Sequence, residues 1–81
     1  MKVIKRDGRA VDYDRAKIET AITKANEEVK PKERATKAEI KEIITYIEEL
    51  DKKRILVEDI QDIIEQKLME IEKYELSKRY I

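Results

Sequence analysis

Lys5, Arg6 and Lys17 stand close together around Gly8, the only glycine of the chain, with Asp7, Asp12 and Asp14 among them. Two ammonium groups and a guanidinium suit the binding of a phosphorylated anion, since each is a cation with several donors and a guanidinium can grip two oxygens at once. One glycine cannot build a P-loop or a dinucleotide fingerprint, so phosphate recognition would fall to side chains. In a strand, Val3 and Lys5 face one side while Ile4 and Arg6 face the other. Lys17 falls one turn into a helix that Asp14 can cap. If the strands fold over that helix start, Lys5 and Lys17 converge beside free backbone N–H groups and the positive end of the helix dipole. Arg6 joins them if the twist of the turn brings it round. The competing structural reading makes these lysines solvated edge-strand charges that discourage aggregation.

Other chemistries drop out. The chain has no cysteine and no histidine, which removes disulfides, thiol nucleophiles, thiolate or imidazole metal sites and histidine acid/base catalysis. Its carboxylates are spread along solvent faces instead of paired, so no catalytic centre is expected. The 19 Lys and Arg are matched by 19 Asp and Glu, which argues against a nucleic-acid binder with a wholly basic surface. The distribution is uneven, however: residues 1–17 carry six Lys/Arg against three Asp, and the remainder carries thirteen against sixteen. The positive end is the opening stretch. There is no apolar leader and no apolar run of spanning length, so a soluble, cytoplasmic protein is expected, with neither DNA nor membrane as partner.

The elements that must position these residues follow from the pattern. Eighty-one residues make one domain near the lower size limit for an unstapled core. Lys2–Lys5 and Arg9–Asp12 flank Arg6-Asp7-Gly8, a hairpin signal; Asp-Gly predicts a type I′ turn with positive φ at both centres. Ile18, Ala21, Ile22, Ala25 and Val29 have helical spacing, and Lys30-Pro31-Lys32 predicts the stop. Thr36-Lys37-Ala38-Glu39 reads as a capping box opening a helix with Ile40, Ile43, Ile44, Ile47 and Leu50 on one face. Ile55-Leu56-Val57 predicts a third strand covered on both faces. Glu58 and Asp59 favour the next helix start, and Ile60, Ile63, Ile64 and Leu68 form its stripe. Leu76 and Tyr80 mark a last helix still running at Ile81. With no C-cap glycine there, the chain reads as a domain cut from a longer protein. The order β-β-α-α-β-α-α describes a small α+β domain.

Val3-x-Lys5-Arg6-Asp7-Gly8, followed by Tyr13-Asp14-x-x-Lys17-Ile18, resembles the opening signature of the ATP-cone domain family. Ile55–Ile64 is similar to the family's central strand–helix segment, and Leu76-Ser77-x-x-Tyr80-Ile81 to its closing helix. Nearly the whole chain is covered; the opening motif is the specific part. The resemblance implies one cone over residues 1–81, a bundle of about four helices capped by a short three-stranded sheet. It implies a regulatory module, not an enzyme, with ATP or dATP as allosteric ligand, with or without Mg2+. Such cones sit mostly at the N-terminus of ribonucleotide reductases, where ATP permits activity and dATP shuts it off. By the same resemblance Lys5 and Lys17 hold phosphates with Arg6 beside them. Val3 and Ile4 line the nucleotide, and Val11, Asp12, Tyr13 and Asp14 wrap base and ribose. Val57 takes a position that often carries a hydroxyl. Two departures stand out: Val57 has no hydroxyl, and Val11 is apolar where some members have an acid. The partners implied are an adenine nucleotide, the catalytic domain of the parent reductase and another cone in an oligomer. Two alternatives remain, the cone of a nucleotide-responsive transcriptional repressor and a ligand-free helical interaction module.

Overall fold

The segment around Val3 forms the centre of a sheet because its neighbours in space are two other short apolar segments. The structure, a computed structural model, describes residues 1–80. Strand β1 (Lys2–Ile4) pairs antiparallel with β2 (Ala10–Asp12) and parallel with β3 (Arg54–Leu56), giving the order β2-β1-β3. The register sets Val3 opposite both Val11 and Ile55. With a side-chain period of two, that row turns towards the helices, while the Lys2 and Ile4 rows face away. Val3 and Ile55 are buried and Val11 is half-buried. The ladder extends at its ends: Tyr13 N–H donates to the Met1 carbonyl and Lys2 N–H to that of Lys53.

The hairpin turn differs from the type I′ expectation. Gly8, at φ 89°, is the only residue of the loop in the left-handed region, and Asp7 is not. Gly8 N–H donates to the Lys5 carbonyl and Lys5 N–H to that of Arg9. This is a three-residue loop, a tight turn closed by a left-handed glycine. Asp7 decides the outcome: its carboxylate accepts from the Arg9 backbone N–H at 3.1 Å and from Arg9 Nε at 2.7 Å. Those bonds hold it in a local Asx-type geometry with ordinary φ.

Four helices cover the inner face of the sheet: α1 (Arg15–Asn26), α2 (Lys37–Glu49), α3 (Val57–Glu70) and α4 (Tyr74–Tyr80), with a 3-10 turn at Pro31–Glu33. Helix α1 ends one turn before the proline. Asn26 there donates to the Ala35 carbonyl and accepts from the Ala35 N–H, both at 3.0 Å. Arg34 Nε donates to the carbonyls of Asn26 and Val29, so these carbonyls are satisfied without a further helical turn. Val29 is buried just past the helix end. The capping box of α2 forms as read, with Glu39 N–H on Thr36 Oγ1 and Thr36 N–H on Glu39 Oε1. Ile22, Ile44, Ile47, Ile64, Leu68 and Leu76 are fully buried and make the centre of one core.

The third strand is covered on one face only. Ile55 is 3% exposed, but Leu56 is 51% exposed and Val57 already opens α3. Among the described residues no helix packs on the outer face of this sheet, so its second apolar position meets solvent. The architecture is α+β, a four-helix bundle under a three-stranded mixed sheet. The continuation of α4 into Ile81 lies outside the described residues. Among those described, no helix is long and apolar enough to cross a membrane.

Candidate functional site

The inner face of the hairpin and the start of α1 enclose a cavity of about 250 Å³. Val3 enters it from β1 and Lys5 from the residue after that strand, Val11 to Asp14 from β2 and the segment after it, and Lys17, Ile18 and Ala21 from α1. Val57, Ile60 and Gln61 close it from α3 and Tyr80 from α4. The hairpin therefore folds over the helix start, and Lys5 and Lys17 share one cavity. Of the ten residues singled out from sequence, eight line it: Val3, Lys5, Val11, Asp12, Tyr13, Asp14, Lys17 and Val57.

Ile4 and Arg6 are not brought in. Strand alternation points them to the other face of β1, where with Leu56 and Glu58 they border a smaller hollow of about 140 Å³. The Arg6 guanidinium is occupied there: Nη2 donates to Gln61 Oε1 at 3.2 Å, and Nε lies 3.5 Å from Glu58 Oε1. Arg6 thus touches the cavity only through Gln61.

Ion pairing separates the six cations of residues 1–17 into two sets. Lys2 pairs with Asp12, Arg6 with Glu58, Arg9 with Asp7 and Arg15 with Glu48. Lys5 and Lys17 are the two with no ion-pair partner among the described residues, and both line the cavity. Lys2 beside Asp12 and Arg9 beside Asp7 hold both carboxyls below the ordinary carboxylate range; these acids stay anionic but are already neutralised. The helix start offers less than its geometry alone suggests. Asp14 Oδ1 accepts from the Ala16 N–H at 3.0 Å and the Asp14 carbonyl from the Lys17 N–H at 3.1 Å. Two N–H groups of the first turn are therefore taken, and the positive character of the cavity rests on the two lysines. Among the described residues no cluster of acids is arranged to hold a metal ion.

Tyr13 ties the cavity wall to the bundle. Its hydroxyl donates to Glu48 Oε2 at 2.9 Å, near the end of α2, and Arg15 Nε lies 3.7 Å from the same oxygen. Burial, and then the neighbouring Glu48 carboxylate, push the Tyr13 phenol well above its ordinary value.

Ile18, Ala21, Ile60, Gln61 and Tyr80 line the cavity without having been singled out. Ile18 and Ala21 continue the helix face that carries Asp14 and Lys17, and Gln61 follows Val57 by one turn, so helical spacing was the available signal. Nothing local in the sequence marks Tyr80; packing of α4 against α1 and α3 brings it there.

A larger hollow of about 660 Å³ lies between α2 and α3. Glu39, Glu42, Glu49 and Glu70 outnumber Lys41 and Lys67 on its walls, so it disfavours an anion. Lys67 is in addition committed, 3.5 Å from Glu70 and 3.9 Å over the Tyr46 ring. Size alone does not single out a cavity suited to an anion; unpaired positive charge on its walls does.

Known proteins share this chain's pattern. It is 34% identical over 92 aligned positions to the ribonucleoside-diphosphate reductase subunit alpha of Chlamydia trachomatis serovar D, an alignment that takes in 100% of this chain and 9% of that protein. The family model described as the ATP cone domain matches residues 1–81. A helical bundle under a three-stranded sheet, with the opening motif folded over the first helix, is the setting in which that match falls, and the chain belongs to the ATP-cone domain family.

Proposed function

We propose that this domain is an allosteric module that binds ATP or dATP in the cavity between the hairpin and α1 and so controls the activity of a ribonucleotide reductase. The chain spans 9% of the length of the reductase subunit it matches, which supports its being one regulatory part of a longer catalytic protein. The observation that carries the ligand assignment is the pairing pattern of the opening stretch. Four of its six cations are neutralised, and the two that are not face one cavity. An unpaired lysine pair beside an apolar wall suits a ligand with a polyphosphate at one end and a flat, weakly polar group at the other.

In this reading Lys5 and Lys17 hold phosphates, Val3, Val11 and Val57 pack against the nucleoside, and Asp12, Tyr13 and Asp14 border base and ribose. Ile4 supports β1 from its outer face, and Arg6 acts by holding Gln61. A bound Mg2+ would travel on the phosphates, since Asp12 is paired with Lys2 and Asp14 caps α1. At about 250 Å³ the cavity is below the usual range of closed ligand sites, roughly 300–1,000 Å³. Part of the nucleotide then stays in solvent, where a catalytic domain or a second cone can contact it.

Calorimetric titration with ATP, dATP and adenosine tests the assignment. Lys17→Ala and Lys5→Gln should each weaken nucleotide binding by about 1.5–3 kcal/mol, the scale of a charged hydrogen bond. Adenosine should bind far more weakly and ignore both changes. Equal affinity for adenosine and ATP would remove the phosphate assignment, and binding of none of the three would leave a ligand-free interaction module as the better reading.

A further inference from the structure

Two tyrosines line the cavity, and they differ in what their hydroxyls do. That of Tyr13 is committed to Glu48. That of Tyr80 has no hydrogen-bond partner among the described residues, and burial alone holds its phenol above the ordinary range, so it stays neutral beside an anionic ligand. Tyr80 packs partly buried against the core and is the one residue of α4 on the cavity wall. The remaining apolar lining is aliphatic, from Val3, Val11, Ile18 and Ile60 among others. The cations enter from the residue after β1 and from α1, and the tyrosine with an uncommitted hydroxyl from α4, so charge and this π-surface come from different elements.

Resting on the nucleotide reading above, we propose that the Tyr80 ring is the surface on which the nucleobase stacks, so that α4 reads the base while β1 and α1 hold the phosphates. A π-face packs flat against any purine and gains nothing from an inorganic polyphosphate, so this contact separates nucleotides from other polyanions. Because α4 also packs on α1 and α3, a ligand held at both ends ties the last helix to the first.

The test titrates the 81-residue chain, as wild type, Tyr80→Leu and Tyr80→Phe, with ATP and with inorganic tripolyphosphate, following heat and tyrosine fluorescence. Tyr80→Leu should weaken ATP binding by about 5- to 150-fold, the range of base–aromatic stacking, and leave tripolyphosphate binding unchanged. Tyr80→Phe keeps the ring and should bind ATP like wild type. ATP should quench the tyrosine fluorescence of the wild type, and that quenching should be largely lost in Tyr80→Phe because the stacked fluorophore is gone. Quenching that persists undiminished in Tyr80→Phe overturns the proposal even if Tyr80→Leu does not fold. So does equal ATP affinity of wild type and Tyr80→Leu, an equal loss for both ligands, or a Tyr80→Phe loss as large as that of Tyr80→Leu. Absence of ATP binding by the wild type would instead remove the nucleotide reading itself, and this inference with it.

Discussion

At the scale of single residues, the site is defined less by where cations occur than by which of them lack a partner. Lys2 and Arg9, near Lys5 in the hairpin, have carboxylates of their own, and Arg15, two residues before Lys17, reaches Glu48. Exposed pairs of this kind contribute little to stability; their consequence here is to leave Lys5 and Lys17 as the cations of residues 1–17 without an ion-pair partner among the described residues. Tyr13 and Tyr80 carry the pH signature on the alkaline side. Both phenols titrate above their ordinary value of 10.0, Tyr13 through burial and Glu48, Tyr80 through burial. A raised folded value means that their contribution to stability is complete below about pH 10 and is lost as pH rises through the folded value. Spectrophotometric titration of phenolate should therefore show late-ionising tyrosines, one disappearing in Tyr13→Phe and another in Tyr80→Phe. An alkaline melting series should show a shallower loss of stability in either variant than in wild type.

Helix ends decide the elements. The reciprocal Thr36–Glu39 bonds start α2 and satisfy two backbone groups that would otherwise be unpaired. Thr36→Ala should cost about 1 kcal/mol in chemical denaturation, with an unchanged m-value. Glu72, between α3 and α4, has φ 63° without being glycine, which is strained for an L-residue. Glu72→Gly should stabilise by roughly 0.5–1 kcal/mol, the relief of strain being partly offset by a more flexible unfolded chain. Gly8 shows the converse. A Cβ there would meet nothing within 4 Å, so Gly8→Ala should cost about 1–2 kcal/mol through its φ of 89° alone.

For the whole molecule, one small core must hold both the candidate ligand cavity and four helices. A single domain of this size has only a few kcal/mol of net stability, so a ligand that binds only the folded state has a large relative effect. At a hundredfold excess over Kd it adds about 2.7 kcal/mol, and each kcal/mol moves the midpoint by roughly 4–8 °C at this length. Saturating ATP or dATP should raise Tm by on the order of 10 °C or more, followed by circular dichroism since the chain has no tryptophan. Lys17→Ala, at an exposed position, should leave the unliganded Tm nearly unchanged and remove most of that rise. Lys5 is half-buried, and its stem packs, which is why glutamine is the better replacement there. For regulation the two nucleotides must favour different states. Under the proposed function, dATP should change the sedimentation profile of a reductase carrying this domain relative to ATP, with the surfaces of α2 and α3 left free of the proposed ligand as the contact region.

The sequence by itself determined the elements and most of the residues that line the candidate cavity. Apolar spacing placed the helices, Thr36 and Glu39 placed a boundary, and Lys5, Asp14 and Lys17 lay close enough in the chain for local geometry to bring them together. Where it misled, a side chain overrode a local rule. Asp7 bonded to Arg9 in place of the expected type I′ turn, and Asn26 with Arg34 satisfied the end of α1 before the proline could. Tertiary structure alone decided the rest. That Leu56 faces solvent depends on the absence of an outer layer over the sheet, which a three-residue apolar run does not reveal. That Arg6 is spent on Glu58 and Gln61, and that Tyr80 reaches the cavity, depends on contacts between positions 52 or more apart in the one case and on the packing of the last helix against the first in the other. Such contacts form only once the core has set the angles between helices, and no periodicity in the chain encodes them locally.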